Sequence, residues 1–275
     1  GREEAGNIAP LIFDTMGIFW TMKYKNKKDK ELLSEWGLEE KNIPINVFAP
    51  FGYYQAYRDK GIEVDNEFAI KLSELEPSDW VGLFELKFTD SIAVLIESVI
   101  SELKNKKEGF GFKDIQDMIG RAENVSQEIK NSVSALFDAA DTWKIFDEEK
   151  GTPMKNLIKA GETTVIDLSM YASLGAFNVR AMIIGLVSKK LFNERMSARK
   201  EEEIIAVQHG ADYARYEIKR DMPLIWIFID EAHEFLPNEG TTPATNALVQ
   251  LLREGRQPGI SVVLATQQPG KIHTD

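Results

Sequence analysis

Five short apolar runs constrain the fold of this 275-residue chain more than any other feature: PLIFD (10–14), INVFA (45–49), TTVIDL (163–168), LIWIFID (224–230) and ISVVLAT (260–266). Each is nearly continuous rather than alternating, which is the pattern of parallel strands covered on both faces. Parallel neighbours need long crossovers, and long, partly helical stretches separate four of the runs. The expected fold is therefore α/β, a mainly parallel sheet flanked by helices. Between the second and third runs, Ile92, Leu95, Ile96, Val99, Ile100 and Leu103 fall at helical spacing. Similar stripes recur in 112–121 and 126–146 before Gly151-Thr152-Pro153 breaks them. This predicts a helical insertion over residues 85–159, with segments 1–84 and 160–275 forming the sheet-bearing core. A long helix is expected at 177–196, and the charged ARKEEEII after it reads as a solvated turn or helix surface.

Hydrophobic residues make up 43% of the chain, enough for a sizeable core. No apolar run reaches the roughly 18 residues a spanning helix needs, and no secretory leader opens the sequence, so a soluble protein is expected. Zero cysteines exclude disulfides and thiolate metal sites and fit a reducing compartment, hence a cytoplasmic location. His209, His233 and His273 are too scattered for a zinc site. A net charge of -11 argues against a generally basic nucleic-acid-binding surface, while leaving room for a local basic stripe such as one lining the pore of a ring. The first residue is Gly, and the chain stops at QQPGKIHTD without a closing helix, so a piece of a longer polypeptide is expected.

The chemistry concentrates in the final ninety residues, in LIWIFIDEAHEFLP (224–237). Six apolar residues run into two adjacent carboxylates, and an uncompensated buried carboxylate costs on the order of several kcal/mol. A cation would answer that cost. An apolar strand ending in Asp-Glu is the Walker B pattern of P-loop ATPases, in which the Asp holds Mg²⁺ through water and the Glu orients and deprotonates the attacking water. Downstream, Thr242-Pro243 reads as an N-cap and first helical residue. Ala244, Ala247, Leu248, Leu251 and Leu252 form an apolar face, and Gly255 falls at the C-cap. The turn REGRQPG then places Arg253 and Arg256 before the last strand, either to stabilise phosphoryl charge, on the same or a neighbouring subunit, or to face the helix dipole. Thr266-Gln267 ends that strand, beside Asp230-Glu231 if the two strands are neighbours.

The ordered set IFIDEAHEFLP and LLREGRQPGISVVLATQQP, with VIDLSMYASLGAFNVRAMIIGLVSKKLF upstream, resembles the HerA-like ATPases of the FtsK–HerA superfamily. The opening LIFDTMGIFW resembles that family's strand ending in an Asp-x-x-Gly motif. The match is best over 160–275, moderate over 10–52 and weak in the helical region. The resemblance implies a RecA-like core, a homohexameric ring, and ATP-driven translocation on double-stranded DNA in DNA-end processing or repair. For archaeal members it implies partnership with a NurA-type nuclease. Carried over by motif, Asp230 resembles the Mg²⁺ residue and Glu231 the catalytic base. Gln267 falls on the sensor position, and Arg256, with Arg253 as the second candidate, in the arginine motif near a subunit interface.

The sequence departs from the family in having no G-x-x-x-x-G-K-[ST]. Gly270-Lys271 is a decoy, because Ala265 stands where the motif wants Gly and Ile272 where it wants Ser or Thr. The expectation is that the P-loop lies outside the sequence and that these residues alone do not hydrolyse ATP. Two alternatives stay open. DEAH (230–233) and LAT (264–266) spell motifs of superfamily 2 helicases, although REGRQPG has no place there. A non-catalytic ATPase-like scaffold would use the helical insertion to bind a partner. The stretch FAPFGYYQAY (48–57) reads as packing at a strand-to-helix turn or as a base-stacking surface. Lys23, Lys25, Lys27 and Lys28 form a solvated loop or a DNA contact.

Overall fold

The structure, a computed structural model, describes residues 6–106, 109–173, 177–209 and 222–273. The strands are β1 (Ile8–Asp14), β2 (Ile45–Pro50), β3 (Asn66–Phe68), β4 (Ile70–Lys71), β5 (Phe146–Asp147), β6 (Thr163–Asp167), β7 (Leu224–Ile229) and β8 (Ile260–Leu264). Six of them form a wholly parallel sheet in the order β3-β2-β6-β1-β7-β8, and β4 and β5 make a separate parallel pair. All five apolar runs are thus strands of one sheet. The three-residue β3, NEF, is too short to carry a periodic signal and has no counterpart in the sequence reading.

Helices α1 (Lys30–Glu35), α2 (Tyr54–Asp59) and α3 (Pro77–Leu83) precede the three helices of the expected insertion, α4 (Ser91–Lys106), α5 (Phe112–Arg121) and α6 (Gln127–Asp141). Trp80 of α3 is fully buried among them, its ring 4.9 Å from Phe137 and 5.2 Å from Phe146. Their apolar residues are continuous with the core on one face of the sheet, where Ile225, Ile227 and Ile229 of β7 are buried. After α7 (Met154–Leu157) and α8 (Ser169–Ser173), helix α9 (Phe177–His209) runs for 33 residues, well past the expected end at 196. The charged ARKEEEII is helix surface, and ion pairs one turn apart support it: Arg199 with Glu202 at 3.6 Å and with Glu203 at 3.1 Å. Helix α10 (Thr245–Glu254) begins later than Thr242-Pro243 suggested. The Thr242 hydroxyl accepts the Ala244 N–H in a turn ahead of it, and Gly255 caps its end.

The sheet is not equally covered on its two faces. The second face carries a small cluster of Ile12, Ile45, Val47 and Val165, roofed by Phe19, Trp20 and Met22. Toward β7 and β8 that roof ends, leaving Trp226 43% and Val263 39% exposed. Strand β8 is also an edge, with no strand on its outer side among the described residues. The expectation of burial on both faces holds for β1, β2 and β6 and fails at β7–β8.

Candidate active site

Strand β7 delivers Asp230 and Glu231 to the carboxyl end of the parallel sheet, where ligands of open α/β sheets bind. The backbone then turns sharply. Glu231 sits at φ 50°, ψ 43°, a left-handed conformation that L side chains adopt at a cost of about 1–2 kcal/mol. Main-chain bonds from Ala265 N–H to the Ile229 carbonyl and from Ala232 N–H to the Ala265 carbonyl, both 2.9 Å, draw the end of β8 against this turn. Gln267 thereby reaches Glu231, donating its Nε2 amide to Glu231 Oε1 at 2.7 Å. Asp230 Oδ1 accepts the Glu231 N–H at 2.9 Å. Asp230, Glu231 and Gln267 therefore occupy one site.

Thr266 lies beside the carboxylate pair as expected, and two residues that sequence reasoning did not place at the site, His233 and Gln268, join it. His233, on the 3-10 turn Ala232–Glu234, has Nδ1 3.0 Å from Thr266 Oγ1 and 3.4 Å from Glu231 Oε2, while its Nε2 lies 3.2 Å from Gln268 Nε2. The Gln268 N–H donates to Thr266 Oγ1 at 3.0 Å. The signal was present in TQQ, whose flanking residues necessarily lie beside Gln267. The His233–Thr266 contact joins the DEAH and LAT stretches. Next to this turn, Arg180 of α9 lies 3.3 Å from Glu234 and anchors the segment to the long helix.

A second pair of carboxylates stands beside the site. Asp14 and Asp167 end β1 and β6 in direct register, and Phe13 pairs with Ile229, so Asp14 is also level with Asp230. Both are fully buried. Asp14 accepts the N–H groups of Met16, Gly17 and Phe19 at 3.2, 2.7 and 2.8 Å, which explains the Asp-x-x-Gly spacing. Gly17 takes φ 73°, and a Cβ there would stand 2.6 Å from the Ser169 hydroxyl. Asp167 Oδ1 accepts from Tyr57 Oη and Ser169 N–H, each at 2.9 Å, while its Oδ2 has no partner among the described residues. Burial first and the Asp167 charge second push the Asp14 carboxyl up to about 6, and burial raises Asp167 as well. Tyr57 thus gives the aromatic stretch 48–57 a packing role, and Tyr53 packs edge-on against Tyr171 at 5.9 Å.

The two arginines lie elsewhere. Arg253, in the last turn of α10, and Arg256, on the turn leading into β8, are exposed at the amino end of that strand. The length of β8, about 16 Å at roughly 3.3 Å per residue, separates them from Gln267. Buried Arg195 of α9 fixes that turn, donating Nε to the Pro258 carbonyl at 2.7 Å and Nη1 to Glu202 at 3.0 Å. Of the four lysines, Lys23 is committed to Asp65 at 2.6 Å, and Asp65 in turn accepts the Val47 N–H of β2. Lys25, Lys27 and Lys28 are exposed. No described helix is long and apolar enough to cross a membrane.

Among the described residues no group of three or more His, Cys, Asp or Glu is arranged to hold a metal ion by itself. The hard oxygen donors of Asp230 and Glu231 nonetheless fit Mg²⁺, which uses one or two carboxylates and completes its shell with water and phosphate.

No family model matches the chain. It is 27% identical over 128 residues to the DNA double-strand break repair helicase HerA of Pyrococcus furiosus, a match covering 43% of this chain and 22% of that relative. Among solved structures, VirB4 of Thermoanaerobacter pseudethanolicus aligns over 97% of this chain and 71% of its own, at 13% identity and a TM-score of 0.39. The plasmid coupling protein TrwB in complex with the non-hydrolysable GTP analogue GDPNP aligns over 96% and 64%, at 13% identity and a TM-score of 0.40. The chain spans about a fifth of the length of the curated relative it matches, and the similarity to HerA agrees with the resemblance carried by IFIDEAHEFLP and LLREGRQPGISVVLATQQP.

Proposed function

We propose that this chain forms the water-activating side of an ATPase site in a HerA-type motor that moves on double-stranded DNA. The observation that carries this reading is Asp230-Glu231 at the carboxyl end of β7, with Gln267 of the adjacent strand bonded to Glu231 at 2.7 Å. Bound Mg²⁺ and ATP would supply the electrophilic phosphorus and the charge neutralisation. Asp230 would hold the cation. Glu231 accepts the proton of the attacking water, and Gln267, placed between Glu231 and the position of a terminal phosphate, senses whether that phosphate is present. The sequence holds no G-x-x-x-x-G-K-[ST], so in this proposal a strand, a glycine-rich loop and a helix N-terminus outside these residues supply the phosphate cradle. The open edge of β8 and the uncovered Trp226 and Val263 beside it offer that unit a place within reach of Gln267. In this reading the described residues alone do not turn over ATP.

The separation of Arg256 from Gln267 by the length of β8 favours action on the nucleotide of a neighbouring subunit over action on the same one. A homo-oligomeric ring, hexameric in this proposal, provides that neighbour, and Lys25, Lys27 and Lys28 are the basic side chains available to DNA phosphates. A NurA-type nuclease is the proposed partner in processing DNA ends.

ATPase activity of the intact gene product, with and without double-stranded DNA, tests the reading. DNA-stimulated turnover that is lost in both Glu231→Gln and Asp230→Asn supports it. Turnover unaffected by either change refutes the assignment of the site, and no turnover in the wild type leaves the scaffold reading.

A further inference from the structure

We infer that His233 is a positioning residue for Glu231, fixing which carboxylate oxygen faces the attacking water. The inference rests on Glu231 being the base. A Gln side-chain amide nitrogen can only donate, so its contact with His233 Nε2 at 3.2 Å makes that nitrogen the acceptor. The ring proton of the neutral imidazole is then on Nδ1, which faces Thr266 Oγ1 at 3.0 Å and Glu231 Oε2 at 3.4 Å. Thr266 Oγ1 is itself pinned by the Gln268 N–H. The ring is therefore held from both nitrogens, and its side chain is only 13% exposed.

Glu231 consequently has a different partner on each oxygen, Gln267 on Oε1 and His233 near Oε2. Only one of them is available to a phosphate. When the Gln267 amide turns to a terminal phosphate, Oε1 is released toward water while Oε2 remains beside the imidazole N–H. Without His233 the released carboxylate can rotate, and a misplacement of about 1 Å in such a group costs on the order of a hundredfold in rate. The left-handed backbone at Glu231 gives the inference a second basis, since it folds the chain back so that residues 231 and 233 share one side of the turn.

Two measurements decide the matter. In the chain as it stands, long-range ¹H–¹⁵N spectra, assigned by loss of signal in His233→Asn, should show His233 as the Nδ1–H tautomer; an Nε2–H tautomer overturns the geometry. In the intact gene product, His233→Ala should lower kcat about 10–100-fold with the KM for ATP within about threefold. His233→Asn places an N–H donor near the Nδ1 position and should recover most of that loss, whereas His233→Gln, which mimics Nε2, should not. An unchanged kcat in His233→Ala, or rescue by Gln instead of Asn, overturns the inference while Glu231→Gln remains inactive. If Glu231→Gln turns over like wild type, the underlying assignment of the base fails, whatever His233 does.

Discussion

Replacing Asp167 by Asn should stabilise this protein at neutral pH, an unusual outcome for a fully buried position. Asn keeps the Oδ1 that accepts Tyr57 Oη and Ser169 N–H, and it replaces an Oδ2 that has no partner among the described residues. It also removes one of two buried charges in register on adjacent strands. The Asp14 carboxyl, raised from 3.8 to about 6, measures the strain: about two pKa units, or roughly 3 kcal/mol, of preference for the protonated form. Burial is the larger cause, so Asp167 owns the smaller share, and relieving it together with the burial of Asp167 itself should contribute about 1–2 kcal/mol. Because the folded pKa is raised, the folded state binds more protons than the unfolded chain between pH 4 and 6. Wild-type stability should therefore fall as pH rises across that interval. Thermal melts of both proteins at pH 5 and pH 7.5 test this, at roughly 2–4 °C per kcal/mol. Asp167→Asn should melt about 2–8 °C above wild type at pH 7.5, with a smaller difference at pH 5. A lower midpoint for Asp167→Asn at pH 7.5, or an equal difference at both pH values, would refute the reasoning, because either result would mean that the Asp167 charge is well accommodated.

Other perturbations follow from the same structure. Glu231→Gly relieves a left-handed backbone and should raise the melting midpoint by about 1–3 °C while abolishing turnover; a lowered midpoint would show that the Gln267 bond outweighs the strain. Arg195→Met leaves the Pro258 carbonyl without its donor and Glu202 with only Arg199 at 3.6 Å, and should cost on the order of 3 kcal/mol in urea unfolding, with Glu202→Gln costing less. Gly185→Ala brings a Cβ to 2.7 Å from the Pro243 carbonyl where α9 meets the start of α10, and should destabilise by about 1–3 kcal/mol; a neutral result would mean the two elements are less closely packed.

What could be read from the sequence follows from what each signal depends on. Continuous apolar runs mark buried parallel strands wherever they occur, so all five were legible. The pairing order was not, since β1 lies between strands that begin 155 and 216 residues after it. Asp230, Glu231 and Gln267 were legible because they end strands, and adjacent parallel strands bring their ends together. His233 was not placed, because its role depends on the left-handed turn at Glu231, which nothing in DEAH announces. The Asp14–Asp167 pair was hidden for a related reason: each aspartate looks ordinary until the register sets them side by side. The arginine turn was legible as a feature, yet only the sheet shows that it lies at the far end from Asp230, Glu231 and Gln267.

The strand order also shapes how the protein is made. Strand β1, nearly all apolar, is synthesised before both of its partners, β6 and β7, which pair on its two sides. The second of these partners begins at Leu224. At about 5–20 residues per second, β1 waits ten seconds or more before its sheet can close. During that interval an apolar strand is exposed with two unsatisfied edges until β6 is made and one until β7 is, while the helices between β3 and β6, built from local contacts, can already collapse. Chaperone dependence and aggregation at high expression levels should therefore track the time taken to synthesise residues 14–224 rather than the final stability of the fold.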